Sequence, residues 1–257
     1  MVLTSKEIGG EGTPLLILHG LFGSSKNWLS NGKVLCEYGE VHLLDLRNHG
    51  DSFHNDSHRL QDLVEDLKEY IDSKEIQRAI LLGHSMGGLA TSFFSLLYPE
   101  RVVAPIVVDI APRSYPLQYT QEFAALSMDV SKYQNRQELD SEMAEVLPNT
   151  FIRQFLQMNL QRNPSGGYKW KLNVPALQRA RDGLSLRVDD LQSYNDKALF
   201  VLGSESSYIN DPEDIDLILE TFPLANIQTI AGAEHYLHYT HADEFLKIVT
   251  GFLSDLQ

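Results

Sequence analysis

The amino-acid sequence predicts an α/β fold, in which helices flank a mostly parallel sheet and a helical cap is inserted between two core strands. Short apolar runs alternate with helical patterns along the chain, and most runs end at a glycine, an aspartate or a histidine. Such runs are typical of strands buried on both faces, and strands that alternate with helices form parallel sheets. The 257 residues suffice for a large core.

Most of the predicted core strands are short, largely apolar runs. They lie at 15–18, 41–44, 79–82, 102–108, 198–202 and 225–230. Apolar residues at helical spacing predict helices at 60–71, 85–98 and 245–252, and Pro99 ends the second of them. In parallel sheets the functional residues follow the carboxyl ends of the strands, so these ends are where chemistry is expected.

One segment, 112–190, has no buried-strand pattern and carries helical patterns at 139–147 and 151–156. We interpret it as a cap over the strand ends, which divides the core into 1–111 and 191–257. A cap excludes water and shapes a substrate pocket. The alternative is a helical subdomain that gates nothing.

Composition narrows the classes of function. The net charge of −14 disfavours nucleic acid and anionic membranes as partners. No apolar stretch is long enough to span a membrane, and the N-terminus lacks a basic region followed by an apolar run, so we expect a cytoplasmic protein. The single cysteine, Cys36, excludes an internal disulfide. The oligomeric state stays open between monomer and homodimer.

The strongest motif is Gly-His-Ser-Met-Gly at 83–87, which fits G-x-S-x-G between a predicted strand and a predicted helix. The pattern places a serine on a sharp turn, where small neighbours relieve backbone clashes and the helix N-terminus favours developing negative charge. Ser85 is therefore the predicted nucleophile. No phosphate-binding G-x-x-x-x-G-K-[ST] occurs.

A serine nucleophile needs a general base, and in this arrangement the chain order is serine, acid, histidine. His235 follows the last predicted strand and is the predicted base. His238 and His241 are rivals that fall in or beside the next helix. A metal site made of these three histidines, or of His49, His54 and His58, is disfavoured because neither set has a recognised ligand pattern.

The acid is the least regular member of the predicted site. The usual aspartate stands three residues after Gly203, where this chain has Ser206. We expect Asp109, at the end of the strand before the cap, to orient His235, since strand ends lie only about 4.8 Å apart. Glu205 is the alternative.

Backbone N–H groups should stabilise the oxyanion of a tetrahedral intermediate. We expect one from Met86 and the other from Leu21 in the loop His-Gly-Leu-Phe-Gly at 19–23, with Phe22 as the alternative. Phe22 and Tyr236 are the predicted substrate-binding residues. Phe123, Phe151, Phe155 and Met158 are candidates from the cap.

Together these motifs resemble the α/β-hydrolase superfamily, and more closely the YbfF-type esterases. Four runs carry most of the resemblance. They are His-Gly-Leu-Phe-Gly-Ser at 19–24, Asp-Leu-Arg-Asn-His-Gly at 45–50, Gly-His-Ser-Met-Gly-Gly at 83–88 and Val-Asp-Ile-Ala-Pro at 108–112. The resemblance covers nearly the whole chain. It implies an α/β-hydrolase fold, a triad of Ser85, Asp109 and His235, activity on short-chain esters and acyl-CoA thioesters, and no cofactor.

The predicted function is therefore a serine carboxylesterase or thioesterase that hydrolyses short- to medium-chain acyl esters through an acyl-serine intermediate. The same residues would serve a lactone, amide or carbon–carbon bond hydrolase, since a fold does not fix a substrate. A non-enzymatic binding protein is disfavoured because the serine, the histidine and the glycines are all present.

Overall fold

The computed structural model describes residues 1–115, 119–180, 184, 191–209 and 211–257. Over these residues the sheet has the strand order β1-β3-β2-β4-β5-β8-β9. Its strands are β1 (Thr4–Gly9), β2 (Leu15–Leu18), β3 (Val41–Asp45), β4 (Ala79–His84), β5 (Val102–Val108), β8 (Ala198–Gly203) and β9 (Ala225–Ile230). Only β1 among them pairs in the antiparallel sense. The predicted mostly parallel sheet is thus confirmed.

Burial explains which strands the sequence predicted. Strands β2, β3, β4 and β8 are buried at every position because helices cover both faces of the sheet. Strand β1 lies at the edge, is mostly polar and partly exposed, and was not predicted. A polar edge strand carries no apolar run by which a sequence could reveal it.

The helices of the core pack on the two faces of this sheet. They are α1 (Leu29–Leu35), α2 (Leu60–Ser73), α3 (Met86–Leu97), α8 (Pro212–Thr221), α9 (Leu237–Thr240) and α10 (Ala242–Ser254). Two buried clusters, one on each face, hold the apolar side chains of these helices. No helix in the described part of the chain is both long enough and apolar enough to cross a membrane.

The segment predicted as a cap holds four helices and a hairpin among its described residues. They are α4 (Thr120–Leu126), α5 (Arg136–Val146), α6 (Thr150–Gln157), α7 (Val174–Arg179) and the strands β6 (Leu160–Arg162) and β7 (Tyr168–Trp170). Helices α5 and α6 coincide with the two predicted helical patterns. The hairpin is an addition to the predicted all-helical cap. The predicted end of the cap at residue 190 lies outside the described residues.

The carboxyl ends of the parallel strands meet at one edge of the sheet. Ser85 follows β4, Asp109 follows β5, and the loop that contains His235 follows β9. The chain therefore brings residues far apart in sequence to one place.

Candidate active site

Ser85 lies on the sharp turn between β4 and α3. Its backbone has φ 54° and ψ −118°, a conformation that side chains other than glycine rarely adopt. The Ser85 N–H donates to Val108 O at 3.0 Å, which ties the turn to β5. A Cβ at Gly87 would overlap the Leu18 carbonyl oxygen, and one at Gly83 would overlap the Gly87 carbonyl. The two glycines of the motif are thus required by close backbone packing.

His235 and Asp109 lie side by side, although β8 separates the strands they follow. The Nδ1–H of His235 donates to Asp109 Oδ2 at 2.7 Å. The sequence argument assumed that these two strand ends are neighbours. In the structure they are not, and the two loops meet across the end of β8. Glu205, the alternative acid, is exposed and accepts a hydrogen bond from the Ser204 hydroxyl instead.

The Asp109 carboxylate is fully buried and held by two further donors. Gly203 N–H donates to Oδ1 at 2.9 Å, and Ser206 Oγ–H donates to Oδ2 at 2.5 Å. Like Ser85, Asp109 has a positive φ, 54°. Ser206 occupies the position where this fold usually has the acid, and it donates to Asp109, the acid that follows β5 in this chain. The sequence marked Ser206 as unusual but gave no sign of this contact.

The imidazole of His235 stacks on Tyr208, with ring centroids 3.7 Å apart and an interplanar angle of 15°. The Tyr208 hydroxyl is 2.7 Å from the hydroxyl of Tyr119, and the Tyr115 hydroxyl donates to Tyr208 O at 3.0 Å. Burial raises the pKa of Tyr208 above its ordinary value, so the ring stays neutral. Sequence analysis missed Tyr208, because no local pattern indicates a stacking contact.

The rival histidines occupy other environments. His238 is buried and stacks on Trp28 at 4.4 Å, and burial lowers its pKa to about 3. His241 Nδ1 lies 3.0 Å from the hydroxyl of Thr240. His84 Nε2–H donates to the backbone carbonyl of His235 at 2.8 Å and so helps to hold the loop that contains the predicted base. Within the described ranges, no group of three or more His, Cys, Asp or Glu side chains is arranged to hold a metal ion.

Leu21 and Met86, which carry the two predicted oxyanion donors, line one cavity together with Ser85. Met86 is the first residue of α3, so its N–H has no partner inside the helix. Phe22 N–H, the alternative donor, is occupied, since it donates to His49 Nε2 at 3.2 Å. Among the described residues, neither Leu21 N–H nor Met86 N–H has an acceptor within hydrogen-bonding distance. The geometry thus favours Leu21 over Phe22.

Two small cavities, each of about 20 Å³, lie against Ser85. Each has room for about one water molecule. His235, Tyr236, Phe22 and Glu122 are among the residues that line the first. The second is apolar at its base, where Met86, Leu89, Ile110 and Leu184 line it, and Tyr119 lines both cavities. The two predicted substrate-binding residues thus both line the first cavity.

A groove of about 480 Å³ lies beside the first cavity and shares Phe155 and Tyr236 with it. Phe151, Met158 and the exposed Tyr239 form its apolar wall, and Phe151 contacts Tyr236 at a ring distance of 5.0 Å. Of the four aromatic and methionine candidates in the cap, Phe123 alone does not line the groove. It is buried, with its ring 5.3 Å from that of Phe22.

The chain is similar to known hydrolases over most of its length. The model of the alpha/beta hydrolase family matches residues 15–248. The chain is 32% identical to an sn-1-specific diacylglycerol lipase of Mus musculus, over 93% of this chain and 80% of the lipase. It is 31% identical to the esterase YbfF of Escherichia coli strain K12, over 95% of this chain and 94% of the esterase.

Among solved structures, a marine microorganism esterase is similar over almost its whole length. The TM-score is 0.92 and the sequence identity is 36%, with 98% of this chain and 99% of that esterase covered. The match extends through both the core and the cap.

Proposed function

This chain belongs to the alpha/beta hydrolase family and is an enzyme that hydrolyses esters, and we propose that it is a serine carboxylesterase with Ser85, His235 and Asp109 as its catalytic triad. One observation carries the proposal: His235 donates to a buried Asp109 carboxylate at 2.7 Å, in a pocket that Ser85 also lines. This contact fixes the imidazole so that Nε2 is free to accept a proton.

The proposed cycle has two halves. In the first, His235 Nε2 takes the proton of Ser85 Oγ–H while Oγ forms a bond to the ester carbonyl carbon. The carbonyl oxygen becomes an oxyanion that the N–H groups of Leu21 and Met86 stabilise. The tetrahedral intermediate then collapses, and His235 gives the proton to the leaving alkoxide. In the second half, water attacks the acyl-serine by the same route and releases the acid.

The position of His235 assigns the two halves of the substrate. Because His235 protonates the leaving oxygen, the leaving group lies on the side of Ser85 where His235 is. That side adjoins the large groove, while the acyl side is the small cavity above Met86 and Ile110. Because this cavity is small, we propose short acyl chains, with medium chains as poorer substrates, and bulky apolar alcohols.

Thioesters undergo the same reaction, but acyl-CoA carries several phosphate charges. Lys26 is the one cation among the described residues that line the groove, and the chain has a net charge of −14. The electrostatic field therefore disfavours a polyanionic leaving group. We expect esters of neutral alcohols to be the better substrates.

The test is hydrolysis of p-nitrophenyl esters, from acetate to palmitate, by the wild type and three variants. Ser85→Ala removes the nucleophile, Asp109→Asn removes the charge that orients His235, and Glu205→Gln is the matched control. We expect kcat to fall by roughly 10³-fold or more in the first two variants and to stay within about twofold in the third. The rate should be highest for the shortest acyl chains and should already decline through the medium ones.

Other outcomes separate the alternatives. A wild type that is inert on every ester, but whose Ser85 reacts with a fluorophosphonate, would favour a lactone, amide or carbon–carbon bond hydrolase on the same triad. Activity that survives in Ser85→Ala would contradict the proposed mechanism.

A further inference from the structure

The loop that carries the predicted oxyanion donor is held in an unusual backbone conformation. Gly23 N–H donates to Gly20 O at 3.0 Å and closes a tight turn over residues 20–23. The third residue of this turn, Phe22, has φ 62°, in the left-handed region that favours glycine. A conformation of this kind persists where surrounding contacts hold it in place.

The first such contact comes from the core. His49 is fully buried after β3, and its Nδ1–H donates to Arg47 O at 2.8 Å. Its Nε2 therefore presents a lone pair, which accepts the Phe22 N–H at 3.2 Å. Burial holds the pKa of His49 well below its ordinary value, so the ring stays neutral and keeps this acceptor.

The second contact comes from the cap. Asn159, between α6 and β6, is 2% exposed, and its Nδ2–H donates to Phe22 O at 2.7 Å. The same amide group donates to Leu156 O at 3.2 Å, which anchors the side chain to the last turn of α6. Both backbone polar groups of Phe22 are thus engaged, one by the core and one by the cap.

We propose that His49 and Asn159 are positioning residues that clamp the backbone of Phe22 so that the neighbouring Leu21 N–H is directed at the oxyanion. The inference rests on the proposed function. It makes the cap a part of the catalytic apparatus, because the cap holds the oxyanion loop as well as covering the pocket.

The test uses variants that remove one contact each. His49→Leu removes the acceptor, and His49→Gln restores an acceptor at a similar distance from the backbone. Asn159→Asp keeps the shape of the side chain but replaces the donor with an oxygen that repels the Phe22 carbonyl. The controls are Asn163→Ala in the cap hairpin and His42→Leu, a buried histidine that contacts Tyr70 rather than this loop.

The readouts are kcat per titrated active site, KM, and the affinity for a trifluoromethyl ketone, whose adduct with Ser85 carries an oxyanion. We expect His49→Leu and Asn159→Asp to lower kcat and ketone affinity by about 10- to 100-fold, with KM changed by less than about threefold. His49→Gln should recover part of the loss. The two controls should match the wild type.

Three results would overturn the clamp. The first is a wild-type kcat per active site in both His49→Leu and Asn159→Asp. The second is a rise in the KM of these variants with no change in kcat. The third is an equal loss of kcat in His49→Gln and His49→Leu. If the leucine variant does not fold, the aspartate variant decides by the same criteria. Because the wild type is measured first, an inert wild type counts against the proposed function, whereas an active wild type with unaffected variants counts against the clamp alone.

Discussion

Ser206 stands where the acid of this fold is usually found, and it donates instead to the Asp109 carboxylate, which lies on another strand. Asp109 Oδ2 accepts from both Ser206 and His235, so the serine helps to hold the oxygen that orients the base. The carboxylate keeps a separate donor at Oδ1, the Gly203 N–H. Loss of the serine should therefore weaken the triad without abolishing it.

We predict that Ser206→Ala lowers kcat about tenfold, since a hydrogen bond to a charged group contributes about 1.5–3 kcal/mol and the Gly203 N–H still holds the other oxygen of the carboxylate. Steady-state kinetics on p-nitrophenyl acetate measures this. As a further test, Ser206→Asp in the Asp109→Asn background returns a carboxylate to the usual strand, and its rate should exceed that of Asp109→Asn alone. A wild-type rate in Ser206→Ala would contradict the assigned contact.

The site residues that the sequence could predict are those that a local motif marks. Ser85 sits in a five-residue pattern, and His235 follows the last strand. Tyr208 and Ser206 were missed because their roles depend on which loops meet in space. Asp109 is intermediate, because the absence of an aspartate three residues after Gly203 pointed to it and only the fold places it beside His235.

At the scale of elements, the turn between β4 and α3 depends on the absence of side chains. A Cβ at Gly87 would overlap the carbonyl oxygens of Leu18 and His19, which belong to β2 and the oxyanion loop. Neither backbone atom can move without displacing its strand or loop. Helix α3 would have to shift, and Ser85 would shift with it.

We predict that Gly87→Ala destabilises the protein by about 2–4 kcal/mol. It should also lower esterase activity, because Ser85 shifts together with α3. Gly251→Ala is the matched control, because Gly251 lies in helix α10 with open space around its Cβ position. There, alanine should stabilise by about 0.5–1 kcal/mol. Urea unfolding measures the change in the free energy of unfolding, which should be a decrease for Gly87→Ala and an increase for Gly251→Ala. An unaltered unfolding midpoint for Gly87→Ala would contradict the packing argument.

The elements that the sequence predicted are those whose burial leaves a pattern. Strands β2, β4 and β8 are buried throughout and almost entirely apolar because both faces are covered. The hairpin β6–β7 consists of three-residue strands, too short for any alternation to stand out. Strand β1 forms by pairing with β3, and its polar sequence has no local pattern that predicts this tertiary contact.

At the scale of the whole molecule, burial of several histidines couples stability to pH. Burial lowers the pKa of five of them: His19, His49, His58, His84 and His238. For His58 and His238 the pKa falls to about 3. These rings stay neutral in the folded protein, while in the unfolded chain they bind protons below about pH 6.5.

Since the unfolded state then binds more protons than the folded state, stability must fall as the pH falls below 6.5. Each histidine contributes a loss of about 1.4 kcal/mol per pH unit until its folded pKa is reached. Unperturbed Asp and Glu side chains titrate near pH 4, so the interval from 6.5 to 5 mainly reports the histidines. We predict a steep decrease in the free energy of unfolding across this interval, measured by urea unfolding at pH 7, 6 and 5.

A single substitution tests the assignment. His238→Phe keeps a ring against Trp28 and removes one titrating group, so the slope should flatten by about one histidine, about 1.4 kcal/mol per pH unit. Equal slopes in the wild type and His238→Phe would mean that His238 does not stay neutral in the fold. A flat profile in the wild type would contradict the burial of all five, since water reaching these rings would let them protonate without unfolding.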